Sequence, residues 1–399
     1  RTKSLYLTSI DIFCHVIDNF GDAGVVYRFA KEFKKLNPQC NTRVFIDNLE
    51  TLHSIIPEIK ASEPIQQYQQ ITFIDSSFIS PQNIEDLGIA DVLVEAFACE
   101  IPQPVMDIAV FKSKIIINLE YLSAEKWVEG YHLKQSLLNK GTAKKFFFMP
   151  GFTTTTGGVI IDSDVTKKRE NYQTNRNKLF NELHEKHIGL TLQNTESSLF
   201  GTVFSYERGF DNFLEDLTKI NKDVYLMVFG QKSHNSMKAA LKRADKTIDG
   251  RYIKYNNIHI SLFPLISQQI YDSLLCCCDF NLIRGEDSLV RAICAAKPFI
   301  WNAYLQDNRY QKVKVNAFLE NFQQYFEDSE VFNRYKELME KYNDAQFEET
   351  TQKTNEQYHF FFRNLNKIEH ATTKMSYFIE ENCNLVKNFS DFLREFKNQ

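Results

Sequence analysis

The 399-residue chain has no basic excess. Its 47 Lys and Arg stand against 51 Asp and Glu, a formal charge of −4, without a run of like charges. A nucleic-acid binder needs a basic footprint for the phosphate backbone, so no nucleic-acid partner is expected. No apolar run approaches the ~20 residues that span a bilayer, so no membrane partner is expected either. No CxxC spacing occurs among the eight cysteines, and three of them, Cys276, Cys277 and Cys278, are adjacent. Adjacent thiols make a poor disulfide framework and a poor zinc knuckle; they read as buried small hydrophobes in a cytoplasmic protein. The opening RTKSLYLTSIDIF is basic and then apolar, but Asp11 interrupts it and no long apolar core or small-residue cleavage site follows, against a signal peptide. Tryptophan is scarce, with 2 residues against 34 Phe and 18 Tyr, a balance that suits large cores and aromatic-lined grooves.

Glycine is absent after Gly285 and proline after Pro298. The tail from 310 to 399 has helical spacing of Phe, Leu and Tyr, and without breakers it reads as successive helices. The length exceeds what one core usually holds, so two domains are expected. Short apolar runs at Asp11–Ile17, Thr42–Asp47, Ile71–Asp75, Asp91–Phe97, Lys114–Leu119 and Lys145–Met149 alternate with amphipathic stretches such as Val25–Leu36. Continuous apolar strands between helices are the signature of a doubly wound, mostly parallel sheet. The polar stretch Asp162–Lys178 reads as a connector, an irregular segment or a surface helix. Alternation resumes at Leu199–Glu207, Val224–Phe229, Ile258–Leu262, Phe280–Arg284 and Pro298–Tyr304. The class is α/β: two Rossmann-like domains facing each other across a cleft. They are expected over 1–185 and 186–370, with 371–399 a C-terminal helix crossing back to the first.

Two constellations carry chemistry. The first, Asp18-Asn19-Phe20-Gly21-Asp22-Ala23-Gly24, follows the first strand. Ligands of open α/β sheets sit at the carboxyl ends of strands, and the glycines would permit a tight turn there. The spacing is G-x-x-G, so the dinucleotide fingerprint is incomplete. Asp18 and Asp22 could bind a guanidinium, act as a general base or hold a cation; equally, Asp22 could simply cap the following helix. The second, Arg284-Gly285-Glu286-Asp287-Ser288, leads from a strand into a helix expected over Leu289–Ala296. A glycine turn at a helix start is an anion site, and Arg284 adds a bidentate grip. Asp287 or Ser288 could cap the helix. Glu286, repelled by phosphate, should face hydroxyls. The alternative is a capped helix with a surface ion pair. Phe204-Ser205-Tyr206-Glu207 and Pro264-Leu265-Ile266-Ser267-Gln268, with Tyr271, could complete a nucleotide site or belong to the core.

Three other patterns are weak. Asp162-Ser163-Asp164 has DxD spacing but lies in the polar stretch. His184-Glu185-Lys186-His187 is not HExxH and reads as a solvated helix face. Asn388-Phe389-Ser390 has sequon spacing that a cytoplasmic chain would not use.

DIFCHVIDNFGDAGVVYRFAKEF, FFFMPGFTTTTGG, LFGTVFSYE, SQQIYDSLLCCCDFNLIRGEDSLVRA and KPFIWNAYLQ, in this order over roughly residues 11–310, resemble the bacterial elongation factor P arginine rhamnosyltransferases. The resemblance implies a two-domain GT-B glycosyltransferase that inverts dTDP-β-L-rhamnose onto an arginine of elongation factor P, with no cofactor and no metal. It places catalytic roles on Asp18, Asp22 and Glu286. It places substrate contacts on Asn19, Phe20, Gly21, Phe204, Tyr206, Leu265, Gln268, Arg284, Gly285, Asp287, Ser288 and Tyr304. Where the family pattern has a phenylalanine beside the thymine, this chain has Leu265. Three other readings stay open: a GT-B transferase with another sugar or acceptor, a non-enzymatic two-domain protein closing on a small anion, and, disfavoured by the incomplete fingerprint, an NAD-dependent oxidoreductase.

Overall fold

The computed structural model describes residues 8–396 apart from 18, 98, 306–309 and 345–354. The chain divides into two compact units, one of residues 1–163 with 378–399 and one of 164–377.

The first unit runs β1 (Ser9–Cys14), α1 (Asn19–Leu36), β2 (Asn41–Ile46), α2 (Leu49–Ile55), β3 (Ile65–Tyr68), β4 (Ile71–Asp75), α3 (Ile84–Leu87), β5 (Val92–Ala96), α4 (Gln103–Lys112), β6 (Ile115–Leu119), α5 (Trp127–Tyr131), β7 (Gln135–Ser136) and β8 (Lys144–Phe148). The sheet order is β3-β4-β2-β1-β5-β6-β8-β7. All pairs are parallel except the edge hairpins β3–β4 and β7–β8. The central strands are mostly apolar because both faces are covered: Ile10 and Ile12 join one core cluster and Phe13 the other. Asp11 breaks the run but is held in register by Arg43, whose Nε and Nη2 each donate to it at 2.7 Å.

The second unit runs α6 (Ser163–Thr174), α7 (Arg176–His187), β9 (Leu199–Phe204), α8 (Asp211–Thr218), β10 (Val224–Phe229), α9 (Gln231–Arg243), β11 (Tyr252–Tyr255), β12 (Ile258–Phe263), α10 (Gln268–Cys277), β13 (Phe280–Arg284), α11 (Gly285–Ala295), β14 (Phe299–Asn302), α12 (Tyr310–Phe322), α13 (Ser329–Asp344), α14 (His359–Arg363) and α15 (Leu365–Asn382). Its order is β11-β12-β10-β9-β13-β14, parallel except for β11–β12. The final helix, α16 (Leu385–Phe396), belongs to the first core, where Phe389 meets Phe29 at 5.1 Å, Phe33 at 5.9 Å and Phe148 at 5.3 Å.

Several expectations need correction. The three antiparallel edge strands, β3, β7 and β11, carry no apolar run and were not legible. Of the three readings of the polar stretch from Asp162, the surface helix holds, as α6 and the start of α7, with Val165 and Arg169 buried on α6: Arg169 donates to the Cys294 carbonyl at 2.6 Å and to Ser376 Oγ at 3.1 Å. Asp162 is 2% exposed and accepts from Arg28 at 3.1 Å and Lys31 at 2.8 Å. His184 is not on a solvated face: it is fully buried, donating from Nδ1 to the Phe180 carbonyl. Burial pushes it down to about 4. Asn388 lies on α16 and donates to the Gly157 carbonyl at 3.1 Å. All eight cysteines are buried and unpaired with one another, as the sequence suggested.

The segment FFFMPGFTTTTGG turns out to be a seat for the C-terminal helices. Gly158 has φ +91°, and a Cβ there would lie 2.4 Å from the Cys383 carbonyl. Val159 N–H donates to that carbonyl, and Leu385 N–H donates back to Val159.

Candidate active site

In each sheet the chain first builds outward on one side of a central strand and then crosses to the other side: β5 lands beside β1, and β13 beside β9. These crossings are topological switch points, where the carboxyl ends of neighbouring strands diverge and leave room for a ligand. Both constellations lie at them.

At the first, β1 ends at Cys14 rather than Ile17, and α1 starts at Asn19 rather than Val25. Gly21 and Gly24 therefore lie inside the helix, not in a tight turn. Three residues apart, they share one face and leave its first turns bare of side chains. The early start follows from Asp22 in the opening turn. Its Oδ2 accepts from Ile17 N–H at 2.8 Å, reaching back over the helix start as the acid of a capping box does. Phe20 is half-buried in the same turn. Asp18 lies outside the described residues.

Asp47, at the end of β2, accepts from Val16 N–H at 2.9 Å and from the His15 ring. Successive amides after β1 are thus held by two carboxylates, those of Asp47 and Asp22. Burial, then the charges of Asp22, Cys99 and Asp47, pushes the Cys14 thiol up. The Cys99 thiol is pushed up to about 12 by burial, then by Asp47 and Glu95. This strand edge is acidic, the right surroundings for a cationic group.

At the second, Arg284 ends β13 and stands at the cap position of α11, which begins four residues earlier than expected. Gly285 takes φ +77°, where other residues are strained, so the chain turns at once into the helix. The Arg284 guanidinium lies 4.2 Å from the centre of the Phe204 ring and 4.9 Å from that of Tyr206, and Nη1 donates to the Ser205 carbonyl at 3.3 Å. Stacked this way, its fork is held beside the helix start. Tyr206 N–H donates to Asn302 Oδ1 at 3.0 Å, and its ring meets Tyr304 at 5.8 Å. Asp287 and Ser288 are half-buried in the first turn of α11, and Glu286 accepts from Lys314 Nζ at 2.9 Å.

The structure thus brings Phe204, Tyr206, Arg284, Gly285 and Tyr304 together. Gln268 opens α10, where Ser267 caps the helix by accepting from Ile270 N–H. One turn on, the Tyr271 ring meets that of Phe204 at 6.1 Å, tying α10 to the same edge. Leu265 is 50% exposed ahead of it. Phe263 is fully buried against Phe229 and His184, so it is committed to the core.

Four residues of this neighbourhood escaped the sequence reading: Gly230, Lys232, Asn302 and Lys314. Gly230 has φ +87°, and a Cβ on it would lie 2.6 Å from the Phe204 ring. Lys232 Nζ stands 5.7 Å from the centre of the Tyr206 ring. The signal was present, because Phe229-Gly230-Gln231 repeats the strand–glycine–helix pattern of Arg284-Gly285-Glu286. Lys314 and Asn302 had none, since only tertiary packing brings them here. Among the described residues, no group of three or more His, Cys, Asp or Glu side chains is arranged to hold a metal ion. No helix there is long and apolar enough to cross a membrane.

Two doubly wound units, the second with an arginine and a glycine at the helix start of its switch point, are the architecture of a GT-B glycosyltransferase. A solved structure of EarP, described as the basis for EarP-mediated arginine glycosylation of translation elongation factor EF-P, shares the fold: TM-score 0.64 at 19% identity, over 97% of this chain and 99% of that one. The family model for the elongation factor P (EF-P) rhamnosyltransferase EarP matches residues 10–394. Curated relatives named protein-arginine rhamnosyltransferase include that of Shewanella oneidensis, 35% identical over 77% of this chain and 79% of the relative. That of Pseudomonas aeruginosa is 30% identical over 79% and 81%. The chain belongs to the elongation factor P rhamnosyltransferase family, whose members are glycosyltransferases.

Proposed function

We propose that this chain is a cytoplasmic protein-arginine rhamnosyltransferase that moves L-rhamnose from dTDP-β-L-rhamnose to an arginine of elongation factor P, inverting the anomeric carbon. The observation that carries the donor half is the Arg284 guanidinium stacked on Phe204 and Tyr206 at the glycine-started end of α11. An anion placed there meets the N–H groups of a helix's first turn, the positive end of the helix dipole and a fixed guanidinium. Those groups supply the stabilisation that the diphosphate needs as it takes up charge on leaving. Gln268 and the half-exposed Leu265 are the residues we assign to the base, with Asp287, Ser288 and Tyr304 on the sugar nucleotide.

The acceptor half rests on the acidic edge of the first unit and on the names of the relatives. A guanidinium is protonated at any physiological pH and is a poor nucleophile until it loses a proton. Asp22 is assigned as the base. It takes the proton as the nitrogen–carbon bond forms and the bond from the anomeric carbon to the diphosphate oxygen breaks, so the products are the N-rhamnosyl arginine, dTDP and one proton. Asp18 is assigned to orienting the guanidinium with Asn19, Phe20 and Gly21, and Glu286 to the sugar hydroxyls. No metal is assigned a part.

The test is intact-mass analysis of folded elongation factor P after incubation with this protein and dTDP-rhamnose in excess chelator. A gain of one deoxyhexose is expected, and none with Arg284→Ala. Modification only with another sugar nucleotide, or only of another acceptor, would redirect the reading.

A further inference from the structure

The first turn of α11 presents a conflict. Glu286 is its second residue, at the helix start where the diphosphate is proposed to sit, and the two negative charges repel. The structure contains a device that offsets this. Lys314, in the second turn of α12, donates from Nζ to Glu286 Oε1 at 2.9 Å, and both side chains are only 16% exposed. The ammonium reaches this place from a helix that follows β14 in the chain. A pair this shielded from water is screened little by salt, and its partners feel each other strongly.

We propose that Lys314 is a positioning residue for donor binding: it neutralises Glu286 so that carboxylate and diphosphate can occupy the same helix start, and it fixes one carboxylate oxygen so that the other faces the sugar. This rests on the donor reading above. Lys314 touches neither the diphosphate nor the sugar; it acts through Glu286. Without it, Glu286 stays at the cradle as an unbalanced charge, and the anion must bind against it.

The consequence is a specific coupling. Lys314→Met should weaken dTDP-rhamnose binding about ten- to hundredfold, the size expected for one uncompensated unit charge about 6–12 Å from the diphosphate at an effective dielectric constant of about 20. In Lys314→Met/Glu286→Gln binding should rise to that of Glu286→Gln alone, because the offending charge is gone. Lys314→Arg should retain binding. In turnover, Lys314→Met should raise KM for the donor far more than it lowers kcat.

Calorimetry on wild type, Lys314→Met, Lys314→Arg, Glu286→Gln and the double variant tests this, with thermal unfolding of each as a folding control. The proposal is overturned if the double variant binds no better than Lys314→Met, which would make Lys314 a direct ligand or a purely structural residue. It is equally overturned if Lys314→Met binds as wild type does. Failure of the donor reading looks different: wild type itself would not bind dTDP-rhamnose. The same cycle would then be run with UDP-glucose and GDP-mannose, and the same two outcomes would decide the role of Lys314.

Discussion

Replacing Gly230 by alanine should damage the proposed donor site through Phe204. Gly230 caps α9 with φ +87° and ψ 145°, a region open in practice only to glycine. Forcing another residue there costs about 1–3 kcal/mol. The new Cβ would also lie 2.6 Å from Cε2 of Phe204, too close for any real contact, so the ring must move. Overpacking of this kind costs a further ~1–3 kcal/mol. The moved ring then no longer lies 4.2 Å from the Arg284 guanidinium, and the cradle loses its support. Gly230→Ala should therefore destabilise the second unit by about 2–6 kcal/mol in total and weaken dTDP-rhamnose binding. The two tryptophans make the assay selective. Trp301 is buried in the second unit and donates from Nε1 to the Gly285 carbonyl, whereas Trp127 is half exposed in the first. In a Trp127→Phe background, urea unfolding followed by fluorescence reports the second unit alone. Measured on Phe204→Leu protein, Gly230→Ala should cost only the backbone share, about 1–3 kcal/mol. An unchanged unfolding midpoint in Gly230→Ala, or an equal cost with and without Phe204, would refute the argument.

Three further outcomes are expected. Asp22→Asn keeps an oxygen for Ile17 N–H but loses the proton acceptor; turnover should fall about 10²–10⁴-fold with donor affinity intact, and near-normal turnover would move the base elsewhere. Phe389→Ala removes a ring wedged among Phe29, Phe33 and Phe148 and should cost the first unit ~3–5 kcal/mol, read by urea unfolding, with little change in the Trp301 transition. His184 is held neutral by burial, its value lowered from 6.5 to about 4, so the unfolded chain binds the extra proton in that window. Stability it contributes is therefore whole above pH 6.5 and lost as pH falls towards 4, by about 3 kcal/mol at 1.36 kcal/mol per pH unit; His184→Phe should flatten the Trp301-detected acid profile over that range.

The sequence by itself determined the parts whose cause is local. Strands buried on both faces are continuous apolar runs, so Ile71–Asp75, Val224–Phe229 and Phe280–Arg284 were readable to the residue. The helical tail followed from its lack of glycine and proline, and the two constellations stood out because carboxylates and glycines cluster beside strand ends. Tertiary structure decided what depends on distant partners. Edge strands β3, β7 and β11 are specified by the hairpin mate they pair with, not by their own composition. Asp22 draws α1 back to Asn19 through the Ile17 amide, a bond that propensity alone cannot reveal. His184 reads as solvated in the sequence because its helix is polar, and only the sheet beneath it makes the site dry. Lys314 is 28 residues from Glu286 and in no motif. It reaches the cradle because α12 packs beside β14, through Phe318 against Phe299 and Trp301, and burial of those rings, which no local pattern encodes, sets the charge balance at the start of α11.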